Sequence, residues 1–67
     1  MDNKIRVERA ILHISQQELA KKIGVSRQTI NSIENNRYVP STVLALKISE
    51  IFEKSVNEIF KLTEEDR

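Results

Sequence analysis

From Arg27 to Asn35 the chain reads Arg-Gln-Thr-Ile-Asn-Ser-Ile-Glu-Asn. On a helix each residue advances about 100°; with Arg27 at zero, Ile30 and Ile33 fall at about 300° and 240°. Arg27, Asn31, Asn35, Gln28 and Ser32 then fall at about 0°, 40°, 80°, 100° and 140°. One arc is apolar, and the opposite arc offers Arg, Asn, Gln and Ser without a carboxylate. Exposed helices normally mix Glu with Lys. Arg and Gln form bidentate hydrogen bonds with guanine and adenine edges in a major groove, and a carboxylate on that arc would be repelled by phosphates. An ordinary polar face has the same look, so this helix alone leaves both readings open.

Other chemistry has little support. No Gly-rich phosphate loop and no nucleophile–base set is present. His13 is the only histidine and there is no cysteine, so no metal site is expected, and no cofactor is implied. His13 reads instead as a helix-end residue, with a favourable dipole interaction when protonated. The carboxylates Glu64, Glu65 and Asp66 fall in a tail, residues 63–67, expected to be mobile.

The elements that must position the arc are marked by caps. Ser15-Gln16-Gln17-Glu18 is a capping box, so a helix should run from about Gln16 to Ile23, with Gly24 as its left-handed stop. Ser26 caps a second helix, Arg27 to about Asn35. Asn36 can take the left-handed stop, and Pro40 prevents continuation. Ser41 caps a helix from Thr42 to about Phe52, with an apolar face of Leu44, Ile48, Ile51 and Phe52. Ser55-Val56-Asn57-Glu58 is another capping box before a short last helix, and a first helix is predicted from Asn3 to about Leu12. The expected fold is all-α, a compact bundle of five helices. The alternating tail Phe60-Lys61-Leu62-Thr63 fits either frayed helix or a short strand; a strand would need a partner, the N-terminal residues or another subunit. Two short capped helices joined by Gly24-Val25-Ser26 have the form of a helix-turn-helix. Leu19, Ala20 and Ile23 would face Ile30 and Ile33, with Val25 plugging the turn.

A chain of 67 residues is a single domain. Without disulfides, idealised packing or dimerisation must supplement its small core. No apolar run approaches a membrane span, and Met1-Asp2-Asn3-Lys4 lacks a signal-peptide pattern, so a cytosolic protein is expected. Residues 1–47 hold eight basic and four acidic residues, and residues 48–67 three basic and six acidic. A basic end and an acidic end suggest that only the first approaches a polyanion.

The run Ile14-Ser15-Gln16-Gln17-Glu18-Leu19-Ala20, then Ile23 to Ile30, Ile33-Glu34-Asn35 and Pro40-Ser41 resembles the Cro/CI-type (XRE-like) helix-turn-helix family. Within it the chain is similar to small stand-alone regulators of the cytolysin-repressor kind. The resemblance spans about residues 4 to 60. It implies a five-helix, lambda-repressor-like DNA-binding domain with its helix-turn-helix at about residues 16–35. It implies a homodimer on double-stranded DNA, with the second of these helices in the major groove. Arg27, Gln28, Asn31 and Ser32 then occupy base-reading positions. Gln16, Gln17 and Ser26, with Asn36, Arg37 and Tyr38 in the following loop, match phosphate-contacting regions. Arg9 and Glu34 match a partly buried ion pair, structural rather than DNA-reading. Departures from the family pattern are His13, Asn36 and Glu53 where Gly is common, and Glu8 and Thr42 where Leu is common, so that packing there is expected to differ or to be partly exposed.

Ile51, Phe52, Val56, Ile59 and Phe60 exceed what so small an interior needs; some are core, and the surplus is a candidate dimer interface. These features point to a sequence-specific transcription regulator, a repressor acting on a palindromic operator. The competing reading is an antitoxin or protein-interaction module built on the same fold. Antitoxins usually carry extra chain, whereas only about a dozen residues follow the fourth helix here. An enzyme is not expected.

Overall fold

The computed structural model describes residues 1–67. Five α-helices follow in order: α1 (Ile5–Leu12), α2 (Gln16–Ile23), α3 (Arg27–Glu34), α4 (Thr42–Phe52) and α5 (Val56–Ile59). Two short strands, β1 (Asp2–Asn3) and β2 (Phe60–Lys61), pair antiparallel with Asp2 opposite Lys61 and Asn3 opposite Phe60. The architecture is therefore five helices plus a minimal sheet joining the two ends of the chain.

The helix starts follow the serines. The hydroxyls of Ser15, Ser26 and Ser41 accept from the amides of Glu18, Thr29 and Leu44 at 3.0, 3.2 and 3.2 Å. The Glu18 and Glu58 side chains accept in turn from the Ser15 and Ser55 amides. Each of these bonds satisfies an amide that a helix leaves free. The hydrogen bonds from Ser15 hold the Glu18 carboxyl below its ordinary range, with a smaller contribution from the charge of Lys22.

The stops are less usual. Gly24 ends α2 at φ 77°, but His13, Asn36 and Glu53 also adopt left-handed backbone, at φ 58°, 59° and 53°. These three are the positions where the resemblance leads to an expectation of Gly. Each closes a Schellman-type turn. The amides of His13 and Ile14 donate to Ala10 and Arg9 carbonyls, those of Asn36 and Arg37 to Ile33 and Ser32, and those of Glu53 and Lys54 to Glu50 and Ser49. The turn geometry is thus retained at the cost of backbone strain, which is smaller for Asn than for His or Glu.

The core is built from Ile5, Leu19, Ala20, Ile23, Ile30, Ile33, Leu44, Ile48, Phe52, Ile59 and Phe60. Ala20 is fully buried on α2, which packs against α3. Val25 is packed against the core from the turn.

Some expectations are corrected and others decided between their alternatives. Helix α1 begins at Ile5, because Asn3 is taken by the strand pair and Lys4 donates its amide to the Ile59 carbonyl at 2.8 Å. Helix α3 ends at Glu34, with Asn35 as its cap. The alternating tail is a strand in its first two residues, and its partner is the N-terminus of the same chain. Residues Glu64–Asp66 form one 3-10 turn. Asp66 lies 3.0 Å from the Met1 amine. Its carboxyl is lowered to about 2 by the Thr63 amide, that amine and the Thr63 hydroxyl. Thr42 is exposed, but Glu8 is buried; its charge is met by Lys54, whose Nζ is 2.9 Å from Glu8 Oε2. A carboxylate is thus buried without being left unpaired.

Candidate nucleic-acid interface

Helix α3 buries Ile30 and Ile33 and turns its other side outward. Arg27 and Gln28 are exposed, and Asn31 and Ser32 half-buried. The four expected base-reading residues therefore lie along one accessible ridge. Gln28 and Ser32, with Val25, Thr29, Tyr38 and Leu44, line a shallow cleft of about 410 Å³ beside it.

The one carboxylate of α3 decides the charge of this ridge. Glu34 lies at the boundary between the two arcs, and its side chain is only 1% exposed. Arg9 holds it through two bonds, Nε to Oε2 at 2.7 Å and NH2 to Oε1 at 3.2 Å. Arg6 Nε lies 3.5 Å from Oε1. Arg9 also donates to the Ile14 carbonyl at 3.1 Å, tying α1 to the start of α2. Burial pushes the Glu34 carboxyl upward, but hydrogen bonds from Arg9 and Gln16 and the charges of Arg9 and Arg6 outweigh it, leaving the group below its ordinary value. It is ionised at neutral pH, neutralised and turned inward.

Gln16 reaches the same carboxylate, Nε2 to Oε1 at 3.1 Å, and its Oε1 accepts from Arg27 NH1 at 3.4 Å. A chain of contacts thus runs from the ion pair through Gln16 to the first residue of the ridge. The sequence did not announce this bridging role. Gln17 is exposed in the first turn of α2. The backbone amides of Gln16 and Gln17 belong to the first turn, which has no intrahelical acceptor. Ser26 is exposed, but its hydroxyl is engaged by Thr29, whose amide and Oγ1 lie 3.2 and 3.0 Å away. Asn36, Arg37 and Tyr38 form an exposed turn after α3.

Of the five residues expected to offer a surplus for subunit contact, Ile59 is fully buried and Phe52 and Phe60 nearly so. They are spent on this chain's own core, because α5 packs back against α4 and β2 pairs with β1. Ile51 and Val56 are half-buried against it. The large apolar side chains left exposed are others: Val39, Val43 and Leu46 around α4, Val7, Ile11 and Leu12 on α1, and Leu62. No three His, Cys, Asp or Glu side chains converge as metal ligands, and no helix is long and apolar enough to cross a membrane.

Two capped helices packed against each other, with an outward ridge free of carboxylates and a bundle behind it, define a lambda-repressor-like helix-turn-helix domain. The helix-turn-helix family model matches residues 5–59. An uncharacterised HTH-type transcriptional regulator of Methanocaldococcus jannaschii is 48% identical over 60 residues, covering 90% of this chain and 91% of that protein. The uncharacterised HTH-type transcriptional regulator YgzD of Bacillus subtilis is 44% identical over 66 residues, covering 98% and 100%. Among solved structures, the P22 c2 repressor in complex with a synthetic operator superposes with a TM-score of 0.77 at 31% identity, covering 81% of this chain and 82% of that one. The chain belongs to the Cro/CI-type helix-turn-helix family, whose members are DNA-binding transcription regulators rather than enzymes.

Proposed function

We propose that this protein is a sequence-specific regulator that binds double-stranded DNA as a homodimer and represses by occupying a palindromic operator. The observation that carries the reading is the outward ridge of α3. Arg27, Gln28, Asn31 and Ser32 stand on it, while Glu34 is turned inward and neutralised by Arg9. A ridge of this composition suits base edges flanked by phosphates. The operator-bound P22 c2 repressor has the same fold, which supports placing α3 in the major groove. In this reading Arg27, Gln28, Asn31 and Ser32 read bases. Phosphates are met by the first-turn amides of α2 at Gln16 and Gln17, where the helix dipole favours an anion, by Arg37 and Tyr38, and by the backbone around Ser26 and Asn36. Such a regulator works in the cytosol, beside its DNA.

For the dimer, the support is an exposed apolar band of Val39, Val43 and Leu46. It borders a groove of about 390 Å³ to which Met1, Val56 and Phe60 also contribute. Pairing through this band leaves α3 free and would set two reading helices about 34–36 Å apart on one DNA face.

Selection of bound sequences from random duplexes tests the whole reading. The expected outcome is a palindromic consensus with half-sites about one helical turn apart. Enrichment of a non-symmetric site would refute the dimer, and absence of any enrichment would refute sequence-specific binding.

A further inference from the structure

The N-terminal strand carries an interaction that neither the fold nor the reading ridge requires. Asn3, half-buried on β1, uses its whole side-chain amide. Its Oδ1 accepts from the Ile5 amide at 3.2 Å. Its Nδ2 donates to the Ile33 carbonyl at 2.8 Å and to Asn36 Oδ1 at 3.2 Å. Asn36 Nδ2 in turn faces Asp2 Oδ1 at 3.4 Å. These are the only side-chain hydrogen bonds that reach residues 36–39.

Asn36 is the left-handed residue that turns the chain out of α3. Glycine at this position would relieve the strain but leave no side chain to grip. Asparagine is strained there but has an amide that can be gripped. The Ile33 carbonyl is one of the last acceptors of α3, and it receives both the Asn36 amide and Asn3 Nδ2. Asn3 therefore clamps the end of the helix and the turn together. Asn3 is itself fixed by its pairing with Phe60 on β2 and by the neighbouring bond from Lys4 to Ile59.

We infer that Asn3 is a positioning residue for DNA backbone contact: it holds the Asn36 turn, and with it Arg37 and Tyr38, in the orientation that meets the phosphates. The paired chain ends thereby act on the DNA surface without touching DNA. The inference rests on the reading of Arg37 as a phosphate contact, and the tests below separate the two.

Two arms are needed. The first uses no DNA: amide order parameters of residues 36–38 in the parent, Asn3→Ala and Asn36→Gly. Loop order parameters should fall from near 0.85 in the parent to below about 0.6 in both variants. Unchanged values would overturn the inference whatever the DNA results. The second arm titrates operator and unrelated duplex well below the melting temperature. Asn3→Ala should weaken both alike, by about fivefold, the equivalent of one hydrogen bond, and should reduce the salt slope. In an Arg37→Ala background the same change should have a clearly smaller effect, because the path through Arg37 is cut and only the contacts of Tyr38 and the Asn36 backbone remain. Equal loss in both backgrounds would mean a general structural effect and would overturn the inference. If Arg37→Ala alone leaves binding unchanged, the phosphate-contact reading falls, and the inferred role in DNA binding falls with it. Should Asn3→Ala not fold, Asn36→Gly keeps the turn and removes only the grip. Its expected uniform loss, or the absence of loss, then decides the question.

Discussion

Replacing Glu34 by Gln tests the ion pair under the reading helix. The exchange preserves shape and removes charge. In the parent, Arg9 Nε, Arg9 NH2 and Gln16 Nε2 converge on the two carboxylate oxygens at 2.7, 3.2 and 3.1 Å. An amide offers one oxygen, and its NH2 would face a guanidinium. Up to two charge-assisted bonds are lost, worth about 1.5–3 kcal/mol each. Breaking a buried pair costs about 3–5 kcal/mol. Arg9 keeps 15% exposure, so water recovers part of this, and we expect a loss of about 2–4 kcal/mol. A chain of this length has a total stability of roughly 3–10 kcal/mol. The variant should therefore melt roughly 10–30 °C lower, with a matching fall in urea midpoint at unchanged slope. Circular dichroism melts at pH 7 measure it. The pH dependence adds a second check. The Glu34 carboxyl lies below its ordinary value of 4.5. Its stabilisation is therefore complete above that value and is lost as pH falls through the folded-state value. The gap between parent and variant should narrow from pH 7 to pH 3. A loss under about 1 kcal/mol, or a gap independent of pH, would refute the argument that this pair anchors α1 to α3.

Other changes separate reading, contact and scaffold. Gln28→Ala or Arg27→Ala should cost about 1–3 kcal/mol on the operator and relax sequence preference, seen by titrating operator variants. Arg37→Ala should weaken all duplexes alike and lower the slope of log K against log salt by about one. Gly24→Ala meets no atom within 4 Å, so its cost is the left-handed backbone alone, about 1 kcal/mol, read as a lower melting temperature. Glu53→Gly should raise stability by a few tenths of a kcal/mol, the relief of backbone strain being partly offset by the flexibility of glycine in the unfolded chain.

What the sequence revealed was mostly local. The serine caps, the stops at Gly24 and Asn36, and the facing of Leu19, Ala20, Ile23, Ile30 and Ile33 all act over one or two turns, and such signals survive in a string of letters. The alternation at Phe60–Thr63 was visible too, and the N-terminal residues were one of its two candidate partners, but nothing local chose between them and another subunit. Asp2 and Asn3 carry no strand pattern and are fixed only by distant Lys61 and Phe60. Burial of Glu8 was hidden for a similar reason, since its compensating Lys54 lies in another part of the chain. The base-reading ridge could be plotted by angle. The inward turn of Glu34, the bridge through Gln16 to Arg27 and the grip of Asn3 on Asn36 each depend on side chains that only the packed helices bring together. The division of apolar residues between core and surface was equally tertiary: Phe52, Ile59 and Phe60 became interior, whereas Val39, Val43 and Leu46 stayed out.

The strand pair joining the chain ends also has a kinetic meaning. A ladder of two residues per strand has no stability of its own, and closing it confines nearly the whole chain in one loop. The α2–α3 unit depends on contacts between near neighbours, which form quickly. The seam between Asp2–Asn3 and Phe60–Lys61 should therefore zip last in folding and part first in native fluctuations, with α2 and α3 still intact. The expected opening is one in which β1 leaves β2 while Ile59 and Phe60 stay in the core.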